Sequence, residues 1–100
     1  MDFTIQSNNS GIRVKLSGQF TFTDNQKFKH VLELLNQEGL RFLELDFSGV
    51  TFIDSAGLGM LLLLRDNCQN KHISVSLHSA QGQVAKVFMI SKFDQLFSIQ

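Results

Sequence analysis

The chain has 100 residues, 43% of them hydrophobic, and its basic and acidic side chains balance at nine each. That length holds one core without help from metals or disulfides, so a single domain over residues 1–100 is expected. Zero net charge with scattered charges excludes the basic field of a general nucleic-acid binder. The lone cysteine, Cys68, allows no internal disulfide; it suits a reducing cytosol and reads as core filler within a helix. The longest apolar run, Met60 to Leu64, spans five residues against the ~20 needed to cross a bilayer. The N-terminus carries Asp2 and no apolar run, so no signal peptide, no membrane insertion and a cytoplasmic location are expected. Ten Phe without Tyr or Trp assign the aromatic residues to the core rather than to an interface.

Phe3 and Ile5, then Ile12, Val14 and Leu16, are apolar at every second position, the period of half-buried strands. The turn formers Ser7 to Gly11 between them predict a hairpin. Gln19-Phe20-Thr21-Phe22 extends the sheet in this reading. Thr23 or Asp24 then caps a helix carrying Phe28, Val31, Leu32, Leu34 and Leu35, with Gly39 as its C-cap. The charged stretch Gln26 to His30 lies on the solvated face of that helix.

Phe42 to Phe47 reads as a central strand, Ser48 to Ile53 as a connecting loop, and Asp54 or Ser55 as the start of a helix reaching about Gln69. Ile73 to Leu77 alternates as another strand, flanked by His72 and His78 at the surface. Gln81 to Ile90 is helical with Val84, Val87 and Phe88 inward, and Phe93, Leu96, Phe97 and Ile99 form a last short element docked on the core. Strands separated by single helices call for parallel pairs joined by crossover helices; the opening hairpin adds antiparallel pairing.

The junction after Phe47 is the informative one. Loops leading from strand ends into helix starts are where function gathers in such sheets. Gly57 and Gly59 in a first helical turn cost roughly 1 kcal/mol each relative to alanine. Either something approaches the backbone there, or the glycines make room for packing against the sheet. A phosphate cradle is a further reading, but no Gly-Lys-Ser/Thr follows and GxG alone is weak. Met60 to Leu64 covers more than one helix face, which leaves part of it as an exposed apolar strip unless flanking helices cover it. His30, His72 and His78 lack metal-site spacing, and no carboxylate pair or Cys/His set is present, so no metal, cofactor or catalysis is expected.

The stretch Leu45-Asp46-Phe47-Ser48-Gly49-Val50-Thr51-Phe52-Ile53-Asp54-Ser55-Ala56-Gly57-Leu58-Gly59 resembles the signature of STAS domains, in particular of bacterial anti-sigma factor antagonists. Length and element order match over nearly the whole chain. The resemblance implies an α/β fold: a mixed sheet of four to five strands with helices packed mainly on one face. It also implies partner switching. The unmodified antagonist binds an anti-sigma factor, often a serine kinase of GHKL-type fold. The kinase phosphorylates the Ser or Thr after Asp-Ser, which ends the binding, and a PP2C-type phosphatase restores it. Asp54, Ser55, Gly57, Leu58 and Met60 are the partner-binding residues carried over.

Ala56 stands at the phosphoacceptor-equivalent position and has no hydroxyl. Three readings accommodate it: a natural non-phosphorylatable member, an engineered Ser-to-Ala variant of a switchable one, or Ser55 as acceptor. The last is disfavoured because a hydroxyl at an N-cap is engaged with backbone. The alternative function implied is a STAS subunit of a lipid-transporting ABC complex, an adaptor of the ATPase that needs no phosphorylation. Homodimer formation is left open.

Overall fold

The computed structural model describes residues 1–100. Its strands are β1 (Asp2–Ser7), β2 (Gly11–Phe20), β3 (Phe42–Ile53), β4 (Ser74–His78) and β5 (Ser98–Ile99). The helices α1 (Asn25–Glu33), α2 (Ser55–Asn70) and α3 (Gly82–Ile90) alternate with them after β2. The strands form one sheet in the order β1-β2-β3-β4-β5. β1 is antiparallel to β2, and every later pair is parallel. Each parallel step moves the same way across the sheet. Right-handed crossovers taken in one direction put all three helices on the same face.

The period of two in the sequence sorts the strands onto that arrangement. Ile12 and Val14 on β2 pair with Leu43 and Leu45 on β3, and Leu77 on β4 pairs with Leu45; all are buried under the helices. The alternate residues face the open side, where Arg13 pairs with Glu44 and Lys15 with Asp46. The Arg13 guanidinium contacts both the Glu44 carboxylate and, at 3.2 Å, that of Asp46. Burial works against charge on Asp46, but the Ser48 N–H and hydroxyl and then Arg13 outweigh it and hold this carboxyl below the usual range.

Phenylalanine builds two aromatic clusters in the core. Phe20 packs on Phe28, with ring centroids 5.3 Å apart. Phe47, Phe88, Phe93 and Phe97 form a chain with successive spacings of 5.2, 5.4 and 5.2 Å, which docks the C-terminal segment. The core is not their sole destination, however: Phe22, Phe42 and Phe52 are exposed. Leu96 and Ile99 also face outward, so only Phe93 and Phe97 anchor the last element.

Three boundaries differ from expectation. The residues read as a connecting loop, Ser48 to Ile53, continue strand β3. Gly49 was the misleading signal: it sits beside an irregularity in β2, where a Cβ would lie 3.0 Å from the Leu16 carbonyl oxygen. α1 ends at Glu33 and tightens into a 3-10 turn over Leu34–Asn36, while Gly39 (φ +82°) serves the turn into β3. β2 stops at Phe20, and Phe22 opens a 3-10 turn, Phe22–Asp24. No helix is long and apolar enough to cross a membrane.

Candidate functional site

The end of β3 and the start of α2 are tied from four directions, and Asp54 is the knot. Its backbone is extended (φ −102°, ψ −179°), the usual state of an N-cap, and Oδ1 accepts the Gly57 N–H at 2.8 Å. Oδ2 accepts the Phe22 N–H at 3.1 Å, which joins the 3-10 turn to the helix start. The Asp54 N–H donates to the Phe20 carbonyl at 3.2 Å. On the other side, the Gln83 side chain grips the preceding residue: Ile53 N–H donates to Gln83 Oε1, and Gln83 Nε2 donates to the Ile53 carbonyl, both at 3.0 Å.

The 3-10 turn is itself held. Asp24 is buried and accepts the Thr21 N–H at 2.8 Å and the Met1 ammonium at 2.8 Å. Burial opposes its charge, yet those two donors outweigh the burial and keep the carboxyl below its usual range.

The carried-over residues separate on this frame. Gly57 is inside the protein: a Cβ there would lie 2.7 Å from Ile53 Cγ1 and 2.8 Å from the Phe20 carbonyl oxygen. Of the two sequence readings for this glycine, packing against the sheet is the one its surroundings satisfy. Leu58 is half-buried against the core. Asp54 is half-buried with both oxygens engaged. Ser55 is exposed at the first helical position; since Asp54 takes the cap, the reason for setting Ser55 aside does not hold.

Half-buried Ala56 and buried Met60 line the same depression. With Phe22, Asn25, Gly59 and Leu63 they line an open groove of about 300 Å³ between α2 and the 3-10 turn. Met60 is 8% exposed and forms part of the floor, whereas Phe22 (71%) and Leu63 (51%) stand on the rim. A Cβ at Gly59 would meet nothing within 4 Å, so this glycine keeps the groove open. Phe22, Asn25 and Gln83 were missed, and Leu63 was noted only within the Met60 to Leu64 run. Leu63 had a signal, since Ala56, Met60 and Leu63 repeat at helical spacing on one face. Phe22 had a false one, because it keeps the alternation of Phe20. Cys68 lies on the buried face of α2, and burial pushes its thiol up to about 11, leaving it an inert filler as expected.

The model of the family described as "Mlab, STAS domain" matches residues 3–98. The chain belongs to the STAS-domain family. A STAS-domain-containing protein of Pseudomonas aeruginosa strain UCBPP-PA14 is 35% identical over 88 residues, covering 88% of this chain and 86% of that protein. The fold is shared with an anti-sigma factor antagonist from Mycobacterium paratuberculosis (TM-score 0.84, 14% identity, 98% of this chain and 83% of that one). It is shared as well with a sulfate transporter family protein from Wolinella succinogenes (TM-score 0.75, 19% identity, 86% and 70%). This confirms the mixed sheet implied by the signature, here with five strands.

Proposed function

We propose that this STAS domain is an anti-sigma factor antagonist, a binding module that seats an anti-sigma factor on the groove between the 3-10 turn and α2. The observation that carries this reading is an apolar rim, Phe22 and Leu63, set on a backbone that Asp54 and Gln83 hold in place. Full burial of a Phe or Leu side chain contributes up to about 1.5–3 kcal/mol each, and less of that gain is lost where the geometry beneath does not have to be ordered first. The groove offers packing and no catalytic group.

The partner-switch form of this reading places the acceptor at Ser55, the exposed hydroxyl beside the groove, with a GHKL-type serine kinase and a PP2C-type phosphatase as the opposing enzymes. A phosphate adds roughly −1.5 to −2 charge. At the first turn of α2 the helix dipole stabilises it, so the domain tolerates the modification. At the edge of an apolar contact it must be desolvated, so the partner does not.

Ala56→Asp and Phe22→Ser are each expected to weaken binding to a cognate anti-sigma factor by more than about tenfold in calorimetric titration, with the thermal unfolding of the free domain nearly unchanged. Full affinity in both variants overturns the docking reading. Incubation with the kinase and ATP is expected to add one phosphate by intact mass, and Ser55→Ala to prevent it.

Ala56 favours one second reading, a STAS subunit of a lipid-transporting ABC complex, which requires no hydroxyl at that position. The co-purifying partner separates the two: a serine kinase in one case and an ABC ATPase in the other.

A further inference from the structure

Strand β3 outruns its neighbour. Its last residue paired with β4 is Asp46, opposite His78, yet the strand continues to Ile53. In a parallel ladder the N–H and C=O of one residue point to the same adjoining strand, and those of the next residue point to the opposite one. At Ile53 both groups point toward α3, where β4 no longer runs. The two bonds that a neighbouring parallel strand would supply from two of its residues come here from one side chain: Gln83 Oε1 accepts from the Ile53 N–H, and Gln83 Nε2 donates to its carbonyl, each at 3.0 Å.

We infer that Gln83 is the positioning residue of the docking groove, its side-chain amide standing in for the absent strand beside Ile53 and so fixing Asp54. The chemistry is selective. A carboxamide presents one donor and one acceptor in a plane, as a peptide group does. Glutamate keeps the acceptor and loses the donor. Methionine keeps the length and loses both. Asparagine has the chemistry and is one methylene shorter. Gln83 is half-buried on the first turn of α3, and Gly82 before it takes φ +57°, the sharp turn that delivers the side chain to this spot.

What the clamp holds follows from the geometry. Ile53 is buried with its side chain against Gly57, and the next residue is the cap that binds both the Gly57 and Phe22 N–H groups. The Phe20–Asp54 bond restrains this peptide from the β2 side alone. Without Gln83 the α3 side of the junction is untied, and the rim residue Phe22 loses the fixed partner of its own N–H. Gln83 itself does not line the groove, so it acts on the contact surface only through Ile53 and Asp54.

The inference rests on the docking reading for its consequence and not for its structural core, and two measurements keep these apart. Amide hydrogen exchange by NMR on the free domain compares Gln83→Met and Gln83→Glu with the parent. The Ile53 amide is expected to exchange at least about tenfold faster in Gln83→Met and to keep most of its protection in Gln83→Glu, while the core amides of Leu45, Leu61 and Leu64 do not change. Equal Ile53 exchange in parent and Gln83→Met overturns the clamp, as does acceleration of all four amides together. Titration with the anti-sigma factor then reads the consequence: Gln83→Met is expected to weaken binding by about three- to tenfold, mainly through faster dissociation. Unchanged affinity in Gln83→Met, alongside loss of binding in Phe22→Ser, overturns the positioning role. If Phe22→Ser and Ala56→Asp both bind fully as well, the docking reading fails, and the Ile53 exchange pattern still decides the clamp.

Discussion

Helix α2 carries two faces of opposite character, and its two glycines lie one on each. Gly57, Leu61, Leu64 and Cys68 recur at helical spacing and are buried against the sheet. Ala56, Gly59 and Leu63 follow a neighbouring line and border the open groove. The same residue type therefore does different things two positions apart. Gly57 lets the helix approach β3 and the Phe20 carbonyl, whereas a Cβ at Gly59 would meet nothing and this position borders open space. A helix that served only the core would have no use for the second glycine, which costs helix propensity and fills no contact.

That contrast predicts opposite outcomes for paired substitutions. The largest effect is expected from the leucines. Leu61→Ala empties a fully buried site and is expected to cost about 2–5 kcal/mol in urea unfolding. Leu63→Ala, on the rim, is expected to change stability by no more than about 0.5 kcal/mol and to lower partner affinity instead. Comparable stability losses in the two variants break the distinction between the faces.

The glycines sharpen it further, because the sign reverses. Gly57→Ala drives a methyl group toward Ile53 and a backbone oxygen, an overpacking that costs about 1–3 kcal/mol. Gly59→Ala is expected to raise stability by up to about 1 kcal/mol, since nothing opposes the gain in helix propensity. For a domain of this size that is a rise of about 4–8 °C in thermal midpoint per kcal/mol.

The smallest expected effect is a control on the open sheet face, remote from both sides of α2. The Asp46 carboxyl titrates below its unfolded value of ~3.9, so its contribution is present above that pH and is lost as pH falls through the depressed folded value. Asp46→Asn is expected to be less stable than the parent at pH 7 and to converge with it in acid, measured as urea midpoints from pH 7 down to about pH 2. A constant difference across that range contradicts the assignment.

Much of this was legible in the sequence because it is written in local periods. The alternation of Ile12, Val14 and Leu16 defined one buried strand face, the apolar density of Phe42 to Phe47 marked the central strand, and the capping pair Asp54-Ser55 marked the start of α2 to within one residue. The failures occurred where distant contacts override a local signal. Gly49 looks like a turn residue and is a strand residue pressed against β2. Phe22 looks like the next inward residue after Phe20, but the chain leaves the sheet at Thr21 and turns that ring out. Gln83 has no local signature at all. A glutamine on a short amphipathic helix is ordinary, and only the early end of β4 gives it a partner.

The order of the strands also sets a timetable. Because spatial order follows chain order, each strand emerging during synthesis pairs with one already made, and β2, β3 and the start of α2 can assemble without the C-terminal third. Gln83 follows Ile53 by 30 residues, which at about 5–20 residues per second is a delay of a few seconds. During that interval the newborn chain carries the apolar rim without its last restraint. If the groove is the docking surface proposed above, its competence is a late acquisition, and a nascent or truncated chain lacking α3 is expected to present a looser surface than the finished protein.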